Sequence, residues 1–148
     1  VKKQGSGHLN AKKMPLKRHE NILVFYKNLP KYHPQMTEGK AYTAQSGRAS
    51  NNYGKQKSTL TVNNGTRYPT SILEFKSEKG LHPTQKPVAL CEYLIKTYTD
   101  EGDTVLDCCM GSGTTGVASC KLNREFIGIE MEQQYFDLSL KRISEVAL

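Results

Sequence analysis

Residues 104–120, TVLDCCMGSGTTGVASC, set a carboxylate and a glycine-rich loop within a few positions of each other. Asp107 closes a short apolar run. Gly111, Ser112, Gly113 and Gly116 then follow in GxGxxG spacing, and Glu130 stands 19 residues after Gly111. Glycines so placed permit a tight turn and close backbone approach to a nucleotide-like ligand, and a distal acid can hold ribose hydroxyls. Asp107 narrows the choice. A carboxylate directly before the loop would repel a pyrophosphate lying on a helix N-terminus. It suits a ligand that carries an ammonium or a sulfonium, and S-adenosylmethionine carries both beside an adenosine. The bland alternative is an Asp that only caps the turn with its side chain.

A second group of residues lies in HPTQKP. Thr84, Gln85 and Lys86 precede Pro87, where a starting helix turns unpaired N–H groups outward. Such donors, with Lys86, can hold a carboxylate; an ordinary helix start reads equally well. The four cysteines, Cys91, Cys108, Cys109 and Cys120, form no CxxC pair, and no His cluster has zinc spacing. Reduced thiols and no metal are expected. His19 and Glu20 are read as orienting a strand.

The elements that must position these residues follow from periodicity. Pro87 suits the first position of a helix; Val88, Cys91, Leu94, Ile95 and Tyr98 continue at helical spacing, and Gly102 stops the run. TVLD is then a strand, TTGVASCKL a helix, EFIGIE a strand and EQQYFDLSLKRISEVAL a closing helix. A helix followed by a βαβ unit implies a parallel sheet. Further forward, HENILVFYKN (residues 19–28) reads as a buried strand and TSILEFK (70–76) as a short one. Residues 30–68 are rich in Gly, Ser, Asn, Thr and Lys with little periodicity, the mark of a long functional loop.

Charge divides the chain in the same way. Residues 1–70 hold 13 Lys and Arg against Glu20 and Glu38, a net +11, and residues 71–148 carry a net −4. Tyr26, Tyr32, Tyr42, Tyr53 and Tyr68 interleave with the bases. That mixture suits phosphate neutralisation by Lys and Arg together with sugar and base contacts by aromatic and amide groups. Arg48, Lys55, Lys57 and Arg67 are the expected DNA contacts. No apolar run approaches the roughly 18 residues that cross a membrane, and no secretory signal pattern is present. A cytoplasmic protein without membrane attachment is expected, and the initial Val suggests a fragment or a processed chain.

Residues 82–143, with HPTQKP, LDCCMGSGTTG and the acid of IGIE, resemble the cofactor region of the DNA amino-methyltransferases that modify the exocyclic amine of adenine or cytosine. GHLNAKKMPLKRHENILVFYK resembles the strand region that follows the catalytic part of that family. The resemblance implies an α/β fold, a partial Rossmann-like sheet of the S-adenosylmethionine-dependent type with an irregular basic target-recognition segment. It implies a permuted order in three parts: strand region 1–28, target recognition 29–70 and cofactor binding 71–148. Thr84, Gln85, Lys86, Asp107, Gly111, Ser112, Gly113 and Glu130 fall on the family's cofactor positions.

Two departures stand out. The family loop commonly reads Pro-Phe where this chain has Cys108 and Cys109. The catalytic Asp/Asn-Pro-Pro-Tyr/Phe is absent, and NLPKY (28–32) has the wrong spacing to replace it, so no catalytic residue is assigned. The expectation is the C-terminal part of a restriction–modification type DNA methyltransferase, inactive alone. Its partners would be double-stranded DNA and either an upstream catalytic fragment or a second copy. The rivals are a catalytically inactive DNA-binding module and an NAD-binding oxidoreductase fragment.

Overall fold

The structure, a computed structural model, describes residues 1–6, 8–46 and 58–147. In chain order its elements are β1 (Lys2–Ser6), β2 (Lys17–His19), β3 (Thr37–Glu38), β4 (Tyr42–Ser46), β5 (Thr59–Asn63), β6 (Thr66–Arg67), α1 (Val88–Tyr98), β7 (Thr104–Asp107), α2 (Thr114–Lys121), β8 (Glu125–Gly128) and α3 (Gln133–Ser144). Val1–His33 and Ser71–Leu148 together make one compact unit, and Pro34–Thr70 makes another.

The first unit is organised by the expected βαβ. β7 and β8 are parallel, from Thr104↔Glu125 to Asp107↔Gly128, with α2 as the crossover. α1 and α3 both pack against α2. Leu90, Ile95, Met110, Val117 and Ala118 are the buried apolar residues, so the core lies where the helices meet the loop and one face of the strands. Close packing depends on small residues. A Cβ on Gly116 would lie 2.4 Å from Ile143 Cδ1 and 2.7 Å from the Phe126 ring, so only glycine lets α2 sit between β8 and α3.

Helix α1 begins one position later than the proline predicts: Pro87 is the N-cap and Val88 the first helical residue. The Glu78 carboxylate supplies the missing cap by accepting the Val88 N–H at 3.1 Å. At the other end, Thr99 Oγ donates to the Ile95 carbonyl and Arg124 donates to the Thr99 carbonyl. Orphan helix carbonyls are thereby satisfied, and Gly102, at φ +81°, turns the chain into β7.

Two predicted strands are not formed. Residues 21–26 lie outside any strand, and Leu23, Phe25 and Tyr26 are 71%, 87% and 60% exposed. The apolar run has the composition of a buried strand, but a strand forms only against a neighbour, and none pairs with it among the described residues. TSILEFK is reduced to an isolated parallel bridge between Lys2 and Glu74. The β7–β8 pair has the same incompleteness: Leu106 and Ile127, on the face away from α2, are 63% and 54% exposed. Parallel sheets are normally covered on both faces.

The Pro34–Thr70 unit is more regular than its composition predicts. β3 pairs antiparallel with β6, and β4 with β5. The registers Glu38↔Thr66 and Tyr42↔Asn63 leave three residues facing two, a bulge in one continuous two-stranded ribbon. Gly65 at φ +100° makes the short side of that bulge.

Candidate functional site

The site lies at the C-terminal ends of the parallel strands, where open α/β sheets bind ligands. A cavity of about 290 Å³ is lined by His82, Thr84, Gln85 and Lys86 from the turn before α1. Asp107, Cys109, Met110, Gly111, Ser112, Thr114 and Thr115 from the β7–α2 loop complete it. A second cavity of about 510 Å³ shares His82 and Gln85 and extends to Glu78 and Tyr135. Residues about 25 positions apart in sequence thus meet because α1 packs beside α2.

Asp107 lines the cavity and is also tied down. One of its oxygens accepts the Cys109 N–H at 3.1 Å and the other the Thr115 hydroxyl at 2.6 Å. The turn-capping reading and the ligand-facing reading therefore describe one residue. A carboxylate has about four lone-pair sites, and two are used here.

Glu130 is not among the residues lining these two cavities; its carboxylate accepts the backbone N–H groups of Gly111, Met131 and Glu132 at 2.8–2.9 Å. These donors, the Glu132 N–H foremost, hold its carboxyl below the usual carboxylate range. Glu130 thus clamps the first loop glycine to the end of β8, one residue removed from the cavity.

Gly113, at φ +72°, faces α3: an added Cβ would lie 2.7 Å from Ser139 Cβ. Gly111 lines the cavity, and a Cβ added there would lie 3.5 Å from the His82 ring. Arg142 of α3 supports the same loop by donating to the Ser112 carbonyl and, at 3.5 Å, to Thr114 Oγ.

Thr84, Gln85 and Lys86 do reach the cavity, but the donors expected of their turn are mostly spent. Gln85 N–H bonds the His82 carbonyl, and Thr84 N–H bonds His82 Nδ1. The turn is tight enough to satisfy itself, which leaves the Lys86 ammonium, 3.6 Å from Glu20, as the charged group it offers. His82 was missed by sequence reasoning. Its ring meets Tyr135 edge-on at 4.3 Å and holds Thr84, and its place two residues before Thr84 was the available signal.

NLPKY lies elsewhere. Lys31 Nζ contacts Asp100 and Asp103 at 2.7 and 2.8 Å, and Tyr32 packs on Tyr98 at 6.3 Å. The Lys31 hydrogen bonds hold both carboxyls below their usual range. Asp103 precedes β7 and Asp107 ends it, so this cluster and the cavity occupy opposite ends of the strand, about 10 Å or more apart at 3.3 Å per residue.

In the second unit Arg67 turns inward. It stacks on the Tyr42 ring at 4.7 Å, donates to Asn63 and Thr66, and bonds the Lys40 carbonyl. Arg48, Lys55 and Lys57 lie between β4 and β5, outside the described residues.

A parallel βαβ with a glycine loop, a strand-end carboxylate and a cavity at the switch between them defines a nucleotide-type cofactor fold. Residues 1–141 match the family described as DNA methylase, and the chain belongs to that family. It is 37% identical over 122 residues to the type II methyltransferase M2.LlaDCHI of Lactococcus lactis subsp. cremoris, covering 79% of this chain and 45% of that protein. It is also 37% identical over 118 residues to the type II methyltransferase M2.DpnII of Streptococcus pneumoniae, with 76% and 44% covered. The chain therefore spans about half the length of the curated relatives it matches. The crystal structure of the M1.HpyAVI–SAM complex is similar at 32% identity and a TM-score of 0.45, covering 73% of this chain and 63% of that one.

Proposed function

We propose that this chain is the cofactor-binding and DNA-contacting part of a methyltransferase acting on the exocyclic amine of adenine or cytosine in DNA, with S-adenosylmethionine as methyl donor. The observation that carries the reading is the cavity itself. It gathers a carboxylate, Asp107, and an ammonium, Lys86, from separate elements beside a glycine that permits close approach. That donor set fits a ligand whose amino-acid end bears both charges. The adjoining cavity, next to Tyr135, offers further room, within the range of small-molecule sites.

When bound, S-adenosylmethionine supplies an electrophilic methyl group on a sulfonium. The chain's own residues bind and orient: Thr115 and the Cys109 N–H fix Asp107, Glu130 and Arg142 fix the loop, and His82 shapes the wall between the cavities. Preorganised groups of this kind lower the cost of aligning a methyl donor. A pyrophosphate cofactor fits the cavity less well, because Asp107 would face its charge. That weighs against the NAD alternative.

DNA is the proposed substrate of the whole protein, and the ribbon of β3–β6 is its proposed contact in this chain. A two-stranded ribbon is one of the elements that enter a major groove, and Lys55, Lys57 and Arg48 lie between its longer strands. Among the described residues no helix is long and apolar enough to cross a membrane.

The transferring residues would come from elsewhere, since NLPKY is held at the opposite end of β7 and no Asp-Pro-Pro-Tyr is present. The test is tritiated-methyl transfer to DNA by this chain alone and by the chain co-expressed with a polypeptide carrying that motif. Transfer only by the pair supports the reading. Robust transfer by the chain alone, abolished by Tyr32→Ala, would overturn the assignment of Tyr32.

A further inference from the structure

Cys108 and Cys109 are adjacent in sequence, both are exposed, and both are free. Cys109 lines the smaller cavity beside Asp107, Met110 and Thr115. The peptide that carries the pair is fixed by the bond from Cys109 N–H to Asp107. Cys91 and Cys120, by contrast, are half-buried on α1 and α2. Nothing in the proposed methyl transfer uses these two thiols.

We infer that Cys108 and Cys109 form a vicinal dithiol site for trivalent arsenicals, and that capture there closes the cavity. In the capture step each thiol gives up its proton and two sulfur–arsenic bonds form. The arsenic–oxygen bond of the arsenous group breaks, and its oxygen leaves with the two protons as water. Arsenic stays trivalent throughout, so no oxidant or reductant is consumed.

The surroundings favour this over single-thiol chemistry. The neighbouring Cys108 and then the Asp107 carboxylate push the Cys109 thiol above its usual value, which disfavours the thiolate that single-thiol alkylation and oxidation require. Two-point capture depends instead on the second bond forming intramolecularly. A second tethered bond of this type strengthens binding by roughly 10²- to 10⁴-fold. The bridged arsenic, with its organic substituent, would sit at the edge of a cavity of only about 290 Å³.

The consequence for cofactor binding rests on the S-adenosylmethionine reading above; the dithiol site does not. The probe is phenylarsine oxide, titrated into the reduced full chain and followed by native mass spectrometry. One adduct per chain is expected, retained in a Cys91→Ser/Cys120→Ser variant and weakened by roughly 10²- to 10⁴-fold in Cys108→Ser. Calorimetry with S-adenosylmethionine should then show binding lost in the adduct, restored by excess ethanedithiol, and indifferent to the arsenical in Cys108→Ser. Wild-type capture by Cys108→Ser would overturn the site, and unchanged cofactor affinity in the adduct would overturn closure. Should the unmodified chain not bind S-adenosylmethionine at all, the cofactor reading fails, and adduct stoichiometry decides the dithiol site on its own.

Discussion

Gly113→Ala separates two accounts of the glycine loop. If Gly113 faced the ligand, an added methyl would cost affinity and leave the fold intact. The structure places it against α3 instead: the new Cβ would lie 2.7 Å from Ser139 Cβ and 3.0 Å from Ser139 Cα, with Ile143 Cδ1 at 3.4 Å. The first two contacts are with backbone and a fully buried side chain, so neither can swing away. Forcing a methylene into such packing costs about 1–3 kcal/mol. Holding a non-glycine residue at φ +72° adds about 1–2 kcal/mol. The expected loss of stability is therefore about 2–5 kcal/mol. For a chain of this size that is roughly 5–20 °C in Tm, read by circular dichroism melting and urea titration. Ser139→Gly in the same chain should recover part of the steric share and none of the backbone share. A variant with wild-type Tm and reduced cofactor affinity would refute this placement of Gly113.

Three further outcomes follow from the same geometry. Glu130 has its carboxyl held down by backbone donors, so its contribution is full above the ordinary value of 4.5 and fades as pH falls through the lower folded value. Melting temperature measured across pH 2–5 should lose this acid limb in Glu130→Gln. Tyr32→Ala should lower thermal stability through the lost Tyr98 contact while cofactor affinity stays unchanged; a selective loss of affinity would place Tyr32 in the site. DNA binding should weaken steeply with salt, and charge reversal at Lys55 and Lys57 should flatten the log–log slope by about 0.9 per lost phosphate contact. An affinity independent of salt would remove the phosphate contacts from the account.

The back of the chain was legible because its signals are local. Apolar spacing, Pro87, Gly102 and the glycine loop mark α1, β7, α2, β8 and α3 in order, with β8 and α3 ending earlier than their apolar pattern suggests. The run from Ile22 to Tyr26 was legible only as composition. Whether it becomes a strand depends on a neighbour, which no single segment can report. The β4–β5 ladder escaped notice for the opposite reason: its strands, YTAQS and TLTVN, are mostly polar, and pairing rests on backbone bonds rather than on an apolar stripe. At the site, GxGxxG identified the loop but not which glycine lines the cavity and which packs against α3. Likewise the contacts of Arg67 with Tyr42, Asn63 and the Lys40 carbonyl could not be read from its place in a basic segment. Local pattern located the loop; tertiary packing assigned its members.

The account stands most directly on one binding measurement: isothermal titration of S-adenosylmethionine, and separately of NAD, into the wild-type chain and into Asp107→Ala. Asp107 carries the ligand's positive charge in this reading, and hydrogen bonds to charged groups contribute about 1.5–3 kcal/mol. The account predicts saturable one-to-one binding of S-adenosylmethionine, weaker by roughly 10- to 150-fold in Asp107→Ala, and no comparable binding of NAD. Equal affinity of the two proteins for S-adenosylmethionine, or tighter binding of NAD by Asp107→Ala than of S-adenosylmethionine by wild type, would contradict it.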